Sequence, residues 1–360
     1  MLEKETVTEK KKFGIVTVTI IIIITVILTV AGTVTVMRMI GKASLSVSVA
    51  NTEIMGLGEK ADELETNEIL YKEGDYIFNE DLVTVLVMGI DKETVTEIGG
   101  QSWEEEEEGG YAGGQADALF LLIINPHDKN VYVIAINRNS MAEVDVFDEA
   151  GNYQGIFTKQ IALQHGYGDG KEESCLRQVK AVSRMFHGIP IHAYAAVSMD
   201  AIPELNDLIG GITVEVLDDI IYQEYDMDLH QGETVTLLGE QAYWYVRLRN
   251  ENIFNSNELR LQRQKQYMTT FAAEAKKQAM SDIRVAIDLY RAVRKYMVTD
   301  IDLNEFTYMA TEYMDYEFDR ENMYSLQGET IQGNNFEEFY VDEDAMQDLI
   351  IKLFYEPAEK

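Results

Sequence analysis

An uncharged apolar run near the start of the chain constrains the fold more than any other feature. Residues Gly14–Met37 carry no charged side chain, and isoleucine, valine and threonine fill most of the run. As a helix the run would reach about 36 Å, which is enough to cross a bilayer with some tilt. Lys10–Lys12 precede it, and Arg38 and Lys42 follow it. Because basic residues concentrate on the cytoplasmic side, we predict a cytoplasmic tail over 1–13, a single transmembrane helix over 14–37 and an extracellular remainder.

A cleaved signal peptide is the alternative interpretation of this run. The tripeptide Ser48-Val49-Ala50 loosely resembles a cleavage site. However, the apolar core of a signal peptide spans roughly 7–15 residues, and this run is much longer. We therefore expect an anchor in the cell membrane that stays attached to the domain that follows it.

The charge balance limits the partners that the protein can bind. The 360 residues include 63 acidic and 30 basic ones, and the formal net charge is −33. Affinity for nucleic acid comes from clustered lysine and arginine, so we predict no nucleic-acid partner. A local basic site can still exist inside an acidic surface, which leaves room for a phosphate-bearing ligand. The single cysteine, Cys175, cannot form an intrachain disulfide and is expected in the core.

Segments typical of strands and helices alternate after the apolar run. Continuous β-branched runs predict buried strands, and apolar residues three or four apart predict helices. This alternation predicts an α/β domain in which helices cover a sheet. The second and third predicted strands read as a hairpin with a turn at Pro126–Lys129. Predicted strands cover 82–91, 118–125, 130–137, 191–198 and 212–217, and predicted helices cover 171–187, 201–210, most of 239–315 and 342–354.

These segments divide the chain beyond the apolar run into three parts. We predict a linker or accessory segment over 38–80, the main domain over 81–300 and a C-terminal helical extension over 301–360. The long loop after the first predicted strand contains the acidic run Glu104–Glu108. That run is either a solvated insertion or a flap near a site.

Two aspartates stand at the ends of predicted strands. Asp91 directly follows the first strand, and Asp117 precedes the second. Carboxylates at the ends of neighbouring strands can converge on a hard cation, and Mg²⁺ takes one or two carboxylates together with phosphate oxygens and water. Ordinary turn or capping aspartates are the alternative interpretation.

Arginines are the second set of candidate site residues. Arg138 follows the third predicted strand and is flanked by short polar side chains. Four more arginines fall within a short stretch of a chain that is poor in basic residues. Guanidinium groups bind phosphate oxygens through two parallel hydrogen bonds and keep their charge, so the cluster suits a pyrophosphate. Surface pairing with the abundant carboxylates is the alternative. The four residues are Arg247, Arg249, Arg260 and Arg263.

Six short blocks lie in a fixed order along 82–270. They are Met88–Asp91, Gln115–Ala118, Asn137–Ser140, Gly210–Val214, Leu238–Arg249 and Glu258–Gln264. The ordered set resembles the LytR-CpsA-Psr (LCP) family of cell-wall glycopolymer transferases. In that family the blocks read L-G-x-D, R-S-D-T, P-R-D, G-G-V, h-L-x-G-x-x-A-x-x-Y-x-R-x-R and D-x-x-R-x-x-R-Q.

The resemblance implies a fold and an activity. The implied fold is a three-layer α-β-α domain with a central mixed sheet, which follows one transmembrane helix. The implied activity is transfer of a glycan phosphate from an undecaprenyl pyrophosphate carrier to a peptidoglycan acceptor, outside the membrane of a Gram-positive cell. The protein would then be a Mg²⁺-dependent phospho-glycan transferase in cell-wall biogenesis.

The resemblance also implies site residues. Asp91 and Asp117 would hold Mg²⁺, and Arg138, Asn139 and Arg247 would take part in catalysis. The pyrophosphate-binding residues would be Arg138, Arg247, Arg249, Arg260, Arg263 and Gln264.

Three positions depart from the family pattern. Gln115 stands where the family has arginine, Asn137 where it has proline and Asn139 where it has aspartate. A lost arginine weakens charge neutralisation, since each charge-assisted hydrogen bond contributes roughly 1.5–3 kcal/mol. The alternative function is therefore a non-catalytic, membrane-anchored binder or regulator of lipid-linked glycan or wall polymer.

Overall fold

The computed structural model describes residues 35–45, 68–72, 74–90, 113–148, 151–249, 256–318, 321–333 and 336–358. Of the predicted membrane span, residues 35–37 fall in this part of the chain, where they are helical. No helix among these described residues is long and apolar enough to cross a bilayer. The predicted metal ligand Asp91 and the acidic run Glu104–Glu108 lie outside the described residues.

Strands and helices are numbered here in chain order. The strands are β1 (Glu68–Tyr71), β2 (Gly74–Phe78), β3 (Val83–Ile90), β4 (Ala116–Asn125), β5 (Asn130–Ile136), β6 (Met141–Phe147), β7 (Tyr153–Gln160), β8 (Ala193–Ser198), β9 (Ile212–Glu215), β10 (Ile220–Tyr222), β11 (Met227–Leu229), β12 (Thr234–Leu237), β13 (Met297–Thr299), β14 (Met323–Ser325), β15 (Gly328–Gln332), β16 (Glu337–Val341) and β17 (Tyr355–Pro357). The helices are α1 (35–45), α2 (Leu163–Gly166), α3 (Glu172–Met185), α4 (Ala201–Leu208), α5 (Gly239–Arg247), α6 (Ser256–Ser281), α7 (Ile283–Arg294), α8 (Leu303–Glu312) and α9 (Glu343–Phe354), and Gln223–Tyr225 form a 3-10 turn.

Six strands form a central mixed sheet in the order β13-β8-β3-β4-β5-β14. β3 is parallel to β8 and antiparallel to β4, and β4 is antiparallel to β5. The edge strands add one antiparallel pair, β13 with β8, and one parallel pair, β14 with β5. This sheet confirms the predicted mixed α/β fold. The hairpin of β4 and β5 is confirmed as well, and its turn covers residues 126–129.

Both faces of the central sheet are buried. On β4, Leu119, Leu121 and Ile123 belong to a core that α3 and α9 complete. Phe120 belongs to a second core, to which α6 contributes Leu261. Because successive side chains point to opposite faces and both faces are covered, β4 is apolar at consecutive positions. This is why the sequence shows continuous apolar runs here and no alternation.

Other segments differ in detail from the sequence-based expectation. The stretch 239–315 contains α5, α6, α7 and α8, but the short strand β13 interrupts it. The segment 38–80 contains β1 and β2, and the segment 301–360 contains α8 and α9 together with β14 to β17. β17 pairs with β2, so strands from both ends of the domain share a small sheet. Short strands with solvent-facing side chains lack the long apolar runs by which buried strands are found.

The chain falls into two compact units. In the smaller unit, which contains α1 and α8, Arg38 forms an ion pair with Glu312. In the same unit, Ser44 Oγ donates to Glu305 Oε1 at 2.5 Å. These contacts fasten α1 to α8. The smaller unit is Met1–Val47 with Ile301–Met314, and the larger unit, which holds the central sheet, is Ser48–Asp300 with Asp315–Lys360.

A histidine links the neighbouring strands β3 and β8. His192 lies directly before β8, and its Nδ1 accepts a hydrogen bond from the backbone N–H of Thr84 at 3.1 Å. The backbone N–H of His192 donates in return to the carbonyl oxygen of Thr84 at 2.9 Å. A ring nitrogen that accepts must be unprotonated. Burial agrees with this assignment, since it lowers the pKa of His192 to about 4.

We expect His192 to make stability depend on pH. Its pKa rises from about 4 in the folded chain to about 6.5 in the unfolded chain. Its contribution is therefore complete above about pH 6.5 and is lost as the pH falls through about 4. Between about pH 7 and about pH 4.5 the free energy of unfolding, measured by urea titration, should fall by roughly 2–3 kcal/mol more in the wild type than in His192→Gln. The glutamine oxygen can accept without titrating, and an equal pH dependence in both proteins would contradict the assignment.

Candidate functional site

The register of β4 and β5 places an acidic and a basic side chain side by side. The ladder ends with Leu119 opposite Ile136. Two residues further on, Asp117 comes to lie opposite Arg138, and Arg138 Nη1 is 2.9 Å from Asp117 Oδ1. A second guanidinium reaches the same carboxylate from α6, since Arg260 Nη1 is 3.8 Å from Asp117 Oδ2. The structure thus brings together three predicted site residues at one end of the sheet.

Arg138 has further donors beyond its contact with Asp117. Its Nη2 donates to Oε1 of Gln115, the residue that stands where the family has arginine. Its Nε is buried and has no acceptor among the residues that the structure describes. A buried N–H without a partner costs roughly 1–3 kcal/mol, so an anionic oxygen at this point would be stabilised.

The first turns of α6 bury polar side chains where a packing helix would bury apolar ones. These residues recur three or four positions apart and therefore share one helix face. The two arginines among them are at most 5% exposed. Charged side chains are rarely buried unless they are paired, so this face is unusual for a structural helix. The buried polar residues are Ser256, Asn257, Arg260, Arg263 and Gln264.

Arg260 lies among other positive charges. Burial lowers its pKa to about 10, and the nearby carboxylate of Asp117 opposes that shift. The charges of Arg138, Arg249 and Arg263 act in the same direction as burial. Arg260 still carries its charge at neutral pH. Two described carboxylates, Asp117 and Asp218, pair with three of these four guanidinium groups, so the described side chains leave the region positive in a protein that is otherwise strongly acidic. Such a region attracts anions.

Asparagines set the position of the loop that carries Arg138. Asn257 Nδ2 donates to Asn137 Oδ1 at 2.6 Å, and Asn257 Oδ1 accepts from Arg260 Nη2 at 2.7 Å. The predicted catalytic residue Asn139 is buried, and its Oδ1 accepts from Gln160 Nε2 at 3.1 Å. Sequence reasoning missed Asn257 and Gln160. Asn257 could have been found, since it lies three residues before Arg260 and hence on the same face of a predicted helix.

Arg263 and Gln264 make their contacts with the last turn of α5. Arg263 Nη1 donates to the carbonyl oxygen of Tyr245 at 2.5 Å, and its Nη2 donates to that of Leu248. Gln264 Nε2 donates to the carbonyl oxygen of Val246 at 3.2 Å. Carbonyls in the last turn of a helix lack partners inside that helix, so these side chains supply donors where they are needed.

Arg247 and Arg249 differ in their surroundings, although they are only two residues apart. The Arg247 guanidinium lies over the rings of Tyr243 and Trp244, at 5.2 and 5.7 Å from the ring centres. Cations are attracted to aromatic faces at such distances. Arg249, just beyond the end of α5, is close enough to Arg260 to lower its pKa. The described contacts therefore group Arg249 with the Asp117 site and Arg247 with an aromatic surface.

The predicted Mg²⁺ site can be tested only in part. Of its two ligands, Asp117 is described and Asp91 is not. In the described part of the chain no group of three histidine, cysteine, aspartate or glutamate side chains could hold a metal ion. Asp117 nevertheless fits, because a carboxylate is the hard oxygen donor that Mg²⁺ prefers and Oδ2 makes only a long contact of 3.8 Å with Arg260.

The geometry places the carboxylate of Asp117 between the guanidinium groups of Arg138 and Arg260, and the comparisons identify the family. The sequence model of the LytR_cpsA_psr family matches residues 44–354. The chain therefore belongs to the LytR_cpsA_psr family, as the ordered motifs indicate.

Relatives and solved structures extend over most of the chain. The polyisoprenyl-teichoic acid–peptidoglycan teichoic acid transferase TagU of Oceanobacillus iheyensis is 27% identical over 293 residues, which cover 79% of each protein. TagU of Enterococcus faecalis is 24% identical over 249 residues, 69% of this chain and 71% of the relative. The crystal structure of B. subtilis TagV has a TM-score of 0.57 at 22% identity and covers 76% of this chain and 95% of TagV. TagT bound to LI-WTA has a TM-score of 0.52 at 18% identity, with 85% and 97% covered. These structures share the fold.

We expect Arg263 to stabilise the protein. Arg263→Met removes both hydrogen bonds to α5 and leaves Asp218, 3.2 Å from Arg263 Nε, without its partner. Breaking a buried ion pair from one side costs roughly 3–5 kcal/mol, which a urea titration of the free energy of unfolding would detect. Arg284→Met is the matched control, because this side chain is 81% exposed and its loss should change stability by less than about 0.5 kcal/mol. Similar losses in the two variants would contradict the role of Arg263.

Proposed function

We propose that the protein is a membrane-anchored, extracytoplasmic transferase. It moves a glycan phosphate from a polyprenyl pyrophosphate carrier to a peptidoglycan acceptor. The observation that carries the proposal is the carboxylate of Asp117, which is held between the partly buried guanidinium of Arg138 and the buried one of Arg260. Membership of the LytR_cpsA_psr family supports it, as do relatives that are named teichoic acid transferases.

The arginines bind the pyrophosphate and stabilise its charge during transfer. Arg138, Arg249 and Arg260 donate to phosphate oxygens, and Arg138 Nε supplies a donor that has no acceptor among the described residues. Negative charge builds up on the leaving lipid phosphate as the bond to the transferred phosphate breaks. Fixed positive charges stabilise that state without having to reorganise, which is the main electrostatic contribution to catalysis. Arg263, Gln264 and Asn257 act as positioning residues that hold α5, α6 and the Arg138 loop in register.

Asp117, with Asp91 as the predicted second ligand, holds Mg²⁺ in this proposal. The bound ion would neutralise phosphate charge and orient the oxygens that it contacts. Arg138 orients the Asp117 carboxylate through the 2.9 Å contact. The neutral amide of Gln115 holds the far side of Arg138 without adding a charge.

Arg138→Met and Arg260→Met should each weaken binding of polyprenyl pyrophosphate. The loss of a charge-assisted hydrogen bond of roughly 1.5–3 kcal/mol corresponds to about 10- to 150-fold in affinity. Titration of the full-length protein in nanodiscs with farnesyl pyrophosphate, as a short-chain probe, measures the effect. Arg138→Lys should restore only part of the affinity, because an ammonium lacks the planar fork of a guanidinium. The exposed control Arg284→Met should bind as the wild type does, and unchanged binding in both site variants would count against the phosphate site.

Removal of Mg²⁺ provides a test of Asp117. We expect EDTA to abolish glycan-phosphate transfer by the wild type and added Mg²⁺ to restore it. Asp117→Asn should need at least about tenfold more Mg²⁺ for half-maximal transfer, because an amide is a weaker ligand than a carboxylate. Transfer that persists in EDTA would rule out the metal part of the proposal.

A second candidate function is a non-catalytic binder or regulator of lipid-linked glycan or wall polymer. The observation that favours it concerns Asn139, whose amide cannot act as a base and whose Oδ1 is bonded to Gln160. A single-turnover assay with the lipid-linked donor and a peptidoglycan acceptor separates the two functions. Release of the lipid phosphate supports the transferase, whereas tight donor binding without release in the presence of Mg²⁺ supports the binder.

A further inference from the structure

An open groove of about 870 Å³ lies between the β15–β16 hairpin and the first turn of α6. Both of its walls are attached to the loop that carries Arg138. On one side, the backbone N–H of Phe339 in β16 donates to the carbonyl oxygen of Asn139 at 3.0 Å. On the other side, Glu258 lines the groove, and the preceding residue, Asn257, donates to Asn137. The groove thus adjoins the arginine site through two independent connections.

A glutamine joins the hairpin to the same loop a second time. Gln160 Nε2 donates to Asn139 Oδ1 at 3.1 Å and to the carbonyl oxygen of Glu337 at 2.9 Å. The hairpin is otherwise a separate two-stranded sheet. These bonds fix one wall of the groove relative to Arg138, so a ligand held there would have a defined position beside the phosphate site.

The charged residues that line the groove are acidic, whereas those of the arginine site are mainly basic. Glu258, Glu329 and Asp342 line it together with Thr330 and Tyr340. No lysine or arginine is among the described residues that do so. An anionic, phosphate-bearing donor would be repelled here. A neutral or cationic ligand that is rich in hydroxyl and amide groups would find acceptors, donors and an aromatic ring.

A divalent cation fits the groove less well than a glycan. Asp342 Oδ1 already accepts from the backbone N–H of Ala345 as the cap of α9, and Glu258 accepts from Gln262. Among the described residues the carboxylates do not converge as a set of metal ligands. The volume is within the range of roughly 300–1,000 Å³ that small-molecule pockets occupy.

We infer that this groove binds the acceptor, a neutral or cationic glycan strand, and presents its hydroxyl to the phosphate held by Arg138 and Arg260. The inference rests on the proposed transferase function and names the acceptor subsite of that reaction. In the transfer, the acceptor oxygen forms a bond to the glycan-linked phosphorus, and the bond from that phosphorus to the bridging oxygen breaks. The lipid leaves as its phosphate, and the acceptor proton passes to solvent.

The double variant Glu329→Lys/Tyr340→Ala tests the groove in the full-length protein in nanodiscs. The probe is a neutral oligomer of N-acetylglucosamine, titrated calorimetrically without donor. We expect affinity for the glycan to fall at least about tenfold, because a change of this size corresponds to the loss of about one aromatic-ring or hydrogen-bond contact. Affinity for farnesyl pyrophosphate should stay within about twofold, because neither residue contacts the arginines in the described structure. In a transfer assay the KM for the acceptor should rise while kcat stays close to that of the wild type.

Asp228→Lys is the matched control, since this side chain is 80% exposed and does not line the groove. It should leave both affinities unchanged. If the double variant fails to fold by thermal melting, Glu329→Gln replaces it, because this exposed side chain then loses its charge with little change of shape.

The outcomes separate this inference from the proposed function. Unchanged glycan affinity, a parallel loss of pyrophosphate binding, or a wild type that binds Mg²⁺ in the groove and no glycan would each overturn the inference. A wild type that binds glycan through the groove but never transfers phosphate would overturn the proposed transferase and leave the glycan subsite standing.

Discussion

The pairing of Asp117 with Arg138 and Arg260 holds together parts of the chain that are far apart in sequence. β4 supplies the carboxylate, the end of β5 supplies one guanidinium and α6 supplies the other. Burial of arginine is unfavourable unless the charge is compensated, and one carboxylate compensates only one of the two charges. In the proposed function, a bound phosphate balances the remaining positive charge together with that of Arg249 nearby. Among the described residues, the contacts at this point therefore hold more positive than negative charge.

The arginines of the site do not share one task. Arg138 and Arg260 hold the Asp117 carboxylate. Arg263 instead donates to the backbone carbonyls of Tyr245, in the last turn of α5, and of Leu248, which directly follows that helix. Arg247 lies on aromatic rings. A motif of regularly spaced arginines thus combines residues that contact the anion with residues that hold the supporting helices in place. Substitutions in the two groups differ in what they change, namely affinity for the anion or stability of the fold.

The sequence predicts the central sheet well and its periphery poorly. β3, β4 and β5 are buried on both faces and therefore carry the continuous apolar runs that are typical of such strands. β13 has three residues and is paired by β8, so its existence depends on a partner about a hundred residues away. Most side chains of the β15–β16 hairpin are exposed or half-buried, so its sequence lacks the apolar run that predicts a buried strand.

The candidate site follows the same division. Asp117, Arg138 and Arg260 are predictable because strand ends, helix periodicity and the family motifs all point to them. The positions of Gln160 and Asn257 are not predictable from local pattern, because their partners are Asn139 and Asn137 in another part of the chain. Long-range hydrogen bonds between uncharged amides leave no periodic signal in a sequence.

The pairing of strands near the C-terminal end with strands much earlier in the chain affects how the domain folds during synthesis. β14 closes one edge of the central sheet against β5, and β17 pairs with β2. Contacts between residues so distant along the chain form slowly, since a long loop must close before they stabilise anything. The hairpin that follows β14 also braces the loop bearing Arg138 through Phe339. During synthesis Arg138 therefore emerges before the hairpin that braces its loop, and incomplete domains of this kind expose surface to proteases and chaperones.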